Sequence, residues 1–258
     1  YQKAFLLFGK AGTGKTQILN VLRSLMPTEA VASLGPQHWS ERFALTDLVG
    51  RGVNICGELP ESGRIAGAVF KQIIEGTPCR TEFKGKDAFE LTPLCAHWFA
   101  SNFLPTSGDS TMGFIRRWHI LDFNHVVKDE DRVDGLSDIL IAEEREAIAA
   151  WAVEGLRRLF DQRKYTEPAC HVRRIGEMRR SNNSVHAFLS DTMAVREDPS
   201  GHISARELYD QYVFHIRALG NSPVSFERFR FMLEELDLVV TRDPIGDFAV
   251  QGLSRKAA

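Results

Sequence analysis

Residues 9–16, Gly9-Lys10-Ala11-Gly12-Thr13-Gly14-Lys15-Thr16, follow directly on an uninterrupted apolar run, Ala4-Phe5-Leu6-Leu7-Phe8. The octapeptide satisfies G-x-x-x-x-G-K-[ST] at every position. Its glycines let consecutive backbone N–H groups turn inward and wrap phosphate oxygens, a geometry that side chains would obstruct. Lys15 supplies a point charge for the β- and γ-phosphates, and the Thr16 hydroxyl can ligate Mg²⁺. The preceding run has the pattern of a buried parallel strand. After the loop, Ile18, Leu19, Leu22, Leu25 and Met26 recur at helical spacing until Pro27 stops them. A helix starting there points its positive end at the same phosphates. Strand, glycine loop and helix in this order predict an α/β core with a nucleoside-triphosphate site, all eight loop residues lining it.

Such a site needs an acid at the end of a neighbouring strand, to hold Mg²⁺ and orient the attacking water. Val53-Asn54-Ile55-Cys56-Gly57-Glu58 offers Glu58, with Glu61 a few residues on. Asp47 competes but follows no strand pattern. Cys95-Ala96-His97-Trp98-Phe99-Ala100 reads as another buried strand, with Asn102 at its tip. In a parallel sheet that edge faces the crevice where ligands bind, so Asn102 can hydrogen-bond a γ-phosphate or the water. A plain turn residue is the other reading. Arg116 and Arg117 stand just before the last strand of this block, residues 118–123. Either could reach a neighbouring subunit's γ-phosphate, or both could be surface arginines.

Further strands and helices alternate through this region. Residues 64–75 read as a helix closed by Gly76. Two extended stretches, around residues 80–83 and 88–91, flank the Lys84-Gly85-Lys86-Asp87 turn and suggest a hairpin. After Asn124 the character changes. Residues 136–160 are strongly helical, with Leu140, Ile141, Ile148, Trp151, Ala152, Leu156 and Leu159 as an apolar stripe. Residues 163–180 are polar and basic and read as a linker or connecting helix. From Ser184 the core residues return in three short helical groups and a terminal hairpin, which suggest a winged-helix module. The expected organisation is a P-loop core over 1–126, a helical segment and linker over 127–183, and a winged-helix-like domain over 184–258.

Composition sets bounds on partners. Of 258 residues, 43% are hydrophobic and 26% charged, and the net charge of −2 carries no global basic signature. Any polyanion must therefore meet a local concentration of positive charge, in a patch or a pore. The four cysteines form no C-x-x-C pair, which argues against a zinc module or disulfide framework. No apolar run is long enough for a signal or membrane span, so a soluble, intracellular protein without a membrane partner is expected. The chain opens almost directly on its first strand, which predicts a piece cut from a longer polypeptide.

The ordered set of phosphate loop, Glu58-Leu59-Pro60-Glu61, Lys71 with Glu75-Gly76, basic hairpin, Ala100-Ser101-Asn102 and Arg116-Arg117 resembles the superfamily-three helicases. Within them it is similar to the phage and plasmid primase-helicase group, related to the poxvirus D5-type NTPase. Glu143-x-x-Glu146-Ala147-Ile148 and Trp151-Ala152-Val153-Glu154-Gly155 fit that group as well. The resemblance implies an AAA+-like homo-hexameric ring with ATP and Mg²⁺ bound between subunits. It makes Glu58 the acid of the second nucleotide motif, Asn102 a sensor, and Arg116 or Arg117 the finger from the next subunit. Lys84 and Lys86 would grip single-stranded DNA in the pore. A primase domain would lie upstream on the same polypeptide, and the setting would be the cytoplasm of a bacterial host carrying a phage, plasmid or prophage. The resulting expectation is an ATP-driven helicase of DNA replication. Two other readings share the phosphate loop: an ATPase switch that docks DNA or protein through its C-terminal module, and a small-molecule kinase.

Overall fold

The computed structural model describes residues 1–107, 112–191, 195–236, 238–242 and 246–255. They divide into two compact units, one from Tyr1–Asp109 with Gly113–Met178, the other from Ser110–Met112 with Arg179–Ala258.

In the first unit β1 (Ala4–Phe8) runs through the glycine loop into α1 (Lys15–Ser24). A short strand β2 (Val31–Ala32) and two 3-10 turns lead to β3 (Val53–Cys56). The helix expected over residues 64–75 is shorter than its pattern. Arg64 and Ile65 form β4 (Arg64–Ile65), which pairs in parallel with Thr106 and Ser107, and α2 occupies Gly67–Glu75. Gly76 caps α2 at φ 70°, a conformation that costs glycine nothing. β5 (Cys79–Glu82) and β6 (Ala88–Leu91) make an antiparallel hairpin. Then come β7 (Ala96–Ser101), β8 (Thr106–Ser107), α3 (Met112–Ile115), β9 (Trp118–Asp122), α4 (Leu136–Gln162) and α5 (Ala169–Asn182), Met112 and the last residues of α5 belonging to the second unit.

The central sheet has the order β2-β3-β7-β1-β9, and its pairings are parallel. Both faces are covered, which is why β1 is apolar throughout rather than alternating. Ala4, Leu6, Phe99, Trp118 and Ile120 pack with Trp39 and with Phe70 and Ile73 of α2. Leu7, Val53, Ile55 and Ala100 pack on the other face with Leu19 of α1. The fold is a mixed α/β architecture around a mainly parallel, P-loop-like core.

One polar cluster is sealed inside this core. Asn54 accepts from the Leu34 N–H at 2.8 Å and donates to the Leu34 carbonyl at 2.9 Å. Its amide lies 3.3 Å from His97 Nδ1, which therefore acts as an acceptor on a neutral ring. Burial lowers the His97 pKa to about 4. His119 is lowered to about 4 as well, by burial first and then by the neighbouring His171 and Lys3. The unfolded chain titrates its histidines near 6.5, so it takes up protons that the folded chain refuses as pH falls towards 4. Stability should be full above about pH 6.5 and should decline through that window, by roughly 3 kcal/mol for His97 alone. Urea midpoints measured between pH 7.5 and 4 test this. A His97→Gln chain should show a shallower decline.

α4 differs from its expectation in packing. Its N-terminal end is fixed to α1, where Gln17 Oε1 accepts from the Ser137 N–H at 2.8 Å. Beyond that the expected stripe is largely uncovered, with Trp151 70% and Leu156 49% exposed. At 27 residues the helix is about 40 Å long.

The second unit holds α6 (Ser184–Asp191), β10 (Val195–Ser204), α7 (Ala205–Ala218), α8 (Phe226–Glu234), β11 (Val240–Arg242) and β12 (Phe248–Arg255). Its antiparallel sheet has the order β10-β12-β11. Val185, Phe188, Leu208, Tyr212, Phe229, Leu233 and Val250 form a core of its own. Ser204 and Ser225 cap α7 and α8 by accepting from the N–H of Glu207 and Arg228. The three helices and the terminal strand pair match the sequence reading. β10 is additional, and residues 243–245 of the expected turn lie outside the described residues.

Candidate nucleotide site

The strand order decides what can meet at the C-terminal edge of the sheet. β7 lies between β1 and β3, so the residue at its tip stands between the glycine loop and the loop that follows β3. Backbone hydrogen bonds tie the three together. Gly9 N–H donates to the Ser101 carbonyl at 3.1 Å, and Leu59 N–H donates to the Ala100 carbonyl at 2.9 Å. Asn102 then projects beside Lys15, with Lys15 Nζ 3.1 Å from Asn102 Oδ1.

Lys15 also donates to the carbonyls of Gly9 at 2.6 Å and Lys10 at 2.7 Å. Its ammonium thus lies across the loop it belongs to. Burial lowers its pKa, and the Glu58 carboxylate opposes that shift, so Glu58 is within electrostatic reach of Lys15. Thr13 is buried and its hydroxyl donates to the Lys10 carbonyl, while Thr16 and Glu58 are exposed. Glu61 is exposed on the same loop as Glu58. Asp47 lies on a 3-10 turn ahead of β3, whereas Glu58 follows the strand's C-terminal end.

The loop has the shape its glycines predict. Gly12 and Gly14 have φ of 74° and 86°. At Gly9 a Cβ would collide with the Phe123 carbonyl oxygen, so only glycine fits under the chain that leaves β9. That segment closes over the loop, with Phe123 N–H donating to the Phe8 carbonyl and Val127 N–H to the Gly12 carbonyl.

A neighbouring group is absent from the sequence reading. Asp122, at the end of β9 and in register with Phe8, binds both Arg173 and Arg174 of α5. Arg174 Nε is 2.9 Å from Asp122 Oδ1, and its guanidinium lies 4.4 Å from the centre of the Phe8 ring. Burial alone would raise the Asp122 carboxyl, but hydrogen bonds from Arg174 and Arg173 outweigh it and hold the pKa below its ordinary value. Nothing in the local sequence pairs residues 122 and 174. The acid at the end of a strand was the one available signal.

The two arginines ahead of β9 have different surroundings. Arg117 is 3% exposed, paired with Glu75 at the end of α2 and donating to the Gly113 carbonyl. Arg116 is exposed. Both lie at the start of β9, and Trp118 is in register with Ala4 at the start of β1. They are therefore at the sheet edge opposite the glycine loop, roughly 15 Å away along the strand. Arg116 does not join the chain's own cluster of Lys15, Asn102 and Glu58. Neither do Lys84 and Lys86, exposed at the tip of the β5–β6 hairpin.

Among the described residues, no helix is long and apolar enough to cross a membrane.

Comparison with known proteins agrees with this architecture. The profile of a family described as "Family of unknown function (DUF5906)" matches residues 7–117, the stretch from β1 to Arg117. No curated protein matches the sequence. The apo structure of the NrS-1 C-terminal region is similar over 98% of this chain and 67% of its own, with a TM-score of 0.54 and 14% identity. A second apo form of that region gives a TM-score of 0.52, at the same identity and coverage. A structure described as JCV helicase aligns over 56% of the chain at a TM-score of 0.37, too loose a likeness to bear on the argument. The chain thus shares its fold with the C-terminal region of NrS-1, and the DUF5906 profile matches the part of it that holds the P-loop-like core.

Proposed function

We propose that this chain is an ATP-dependent DNA translocase, the motor part of a replicative helicase, working as a homo-hexameric ring. The observation that carries the reading is the meeting of Lys15, Asn102 and the Glu58 loop at one sheet edge, with an exposed Arg116 at the other. A subunit with this division holds most of a hydrolytic site, which a cation reaching in from a neighbouring subunit would complete. The next subunit's Arg116 would supply it. Arg117 is the weaker candidate for that role because Glu75 already engages it.

In the proposed site, residues 9–16 wrap the phosphates with backbone N–H groups, and Lys15 exchanges its loop carbonyls for phosphate oxygens. Thr16 and Glu58 would hold Mg²⁺, which neutralises charge on the β- and γ-oxygens. The donor set fits a hard cation: a hydroxyl and a carboxylate, both exposed. Glu58 orients the attacking water and accepts its proton, while Asn102 fixes the water or the γ-phosphate. The sheet order β2-β3-β7-β1-β9, with a polar tip between phosphate loop and acid, supports an AAA+-like core. The second unit's sequence of helix, strand, two helices and two strands fits a winged-helix module.

The test is ATP turnover with and without single-stranded DNA, followed by strand separation on a forked duplex. Turnover should rise on addition of single-stranded DNA, fall with salt, and vanish in a Lys15→Ala chain. Turnover that ignores DNA in an assembled ring would overturn the motor reading and leave an ATPase of another kind.

A further inference from the structure

Lys84 and Lys86 account for contact with a phosphate backbone, but the hairpin tip carries one more exposed group. Phe83 is 41% exposed, an unusual position for a phenylalanine beside two lysines. It is not loose. Its ring stacks on Phe89 of β6 with centroids 5.2 Å apart and planes 19° from parallel. The Lys86 ammonium lies 5.6 Å from the centre of the same ring. Lys86 N–H donates to the Phe83 carbonyl at 3.0 Å, and Gly85, at φ 75°, makes the tight turn possible. The tip is thus a short turn that holds an aromatic ring and a cation together.

Neighbouring charges leave that pair free to act on an anion. Glu82 is engaged by Arg42, and Glu90 is in register with Arg80 across the hairpin. Asp87 is the remaining acid at the turn, set against Lys84 and Lys86.

We infer that Phe83 is a base-stacking platform at the hairpin tip, taking a base of the same strand whose phosphates the proposed motor holds on Lys84 and Lys86. The inference rests on the motor reading above and adds a contact to the bases that lysines cannot make. An aromatic ring offers the same face to every base, so the grip is firm without being sequence-specific. Phe89 beneath Phe83 fixes the ring's orientation, which lowers the ordering cost when a base arrives. Lys86 lies over the ring, and its four-carbon stem lets it move to a flanking phosphate.

The experiment compares binding of oligo(dT) with binding of an abasic oligonucleotide of equal length, by fluorescence anisotropy on the full chain. The wild type should bind oligo(dT) about tenfold more tightly than the abasic strand. Phe83→Leu keeps an apolar contact with Phe89 but has no aromatic face, and should bring oligo(dT) down to the abasic level. Phe83→Trp should preserve the gap. A Lys84→Ala/Lys86→Ala chain should lose affinity for both strands together, with a shallower salt dependence. Equal wild-type affinity for the two strands, or a gap that survives Phe83→Leu at unchanged melting temperature, would overturn the stacking role and leave the motor reading intact. Failure to bind either strand would overturn both.

Discussion

Alanine at Arg116 should lower ATP turnover by about a thousandfold while nucleotide binding is retained. The loss follows from where the residue lies. Arg116 is exposed at the start of β9, and the glycine loop follows the other end of that sheet, so one chain cannot bring the two together. Mixing supplies a sharper test than the single variant. Arg116→Ala chains and Glu58→Gln chains, each inactive alone, should recover part of the turnover when combined. A hybrid interface can then pair an intact Glu58 with an intact Arg116. Full activity of Arg116→Ala would end the assignment. Arg117→Ala should give a different phenotype, a loss of stability of roughly 1–2 kcal/mol in urea unfolding, because it empties the buried site that the guanidinium fills and removes its bonds to Glu75 and the Gly113 carbonyl.

Glutamine at Glu58 should reduce hydrolysis by about a thousandfold and leave ATP bound. Glutamine keeps the size of the side chain but cannot take the proton of the attacking water. A fluorescent ATP analogue would report binding, and phosphate release would report turnover. Asp47→Asn is the informative companion. Asp47 precedes β3, on the far side of the strand from Glu58. Its variant should turn over at the wild-type rate, whereas equal losses in the two variants would overturn the choice of Glu58.

Much of the core could be read from the chain because its signals are local. An apolar run followed by G-x-x-x-x-G-K-[ST] defines β1, the loop and α1 within 24 residues. β3 and β7 are short apolar runs that end in polar residues, and Glu58 and Asn102 follow from those endings. What stayed hidden depends on contacts between distant segments. Arg116 and Arg117 are adjacent and chemically identical, and only the approach of Glu75 from α2 separates them. The tie between Asp122 and Arg174 spans 52 positions. β10 was missed because Val195-Arg196-Glu197-Asp198-Pro199-Ser200-Gly201 has no apolar alternation. Its ladder with β12 shifts register between Glu197 and His202, as an irregular strand's does. The α4 stripe had the right period, but periodicity reports a face and says nothing about whether a neighbour covers it.

The path of β7 has a mechanical meaning. The β5–β6 hairpin ends at Leu91, four residues lead into Ala96, and the strand then runs straight to Ser101 and Asn102. Hairpin and Asn102 thus lie at the two ends of one strand, about 20 Å long and clamped between β1 and β3. A clamped central strand is stiff along its length, and Pro93 in the four-residue connection leaves little slack. In the proposed ring, a small shift of Asn102 as a phosphate leaves would travel along this rod to the hairpin base. The lever is a covalent one. Lengthening the 92–95 connection with glycines should therefore uncouple ATP turnover from strand movement while each partial activity survives.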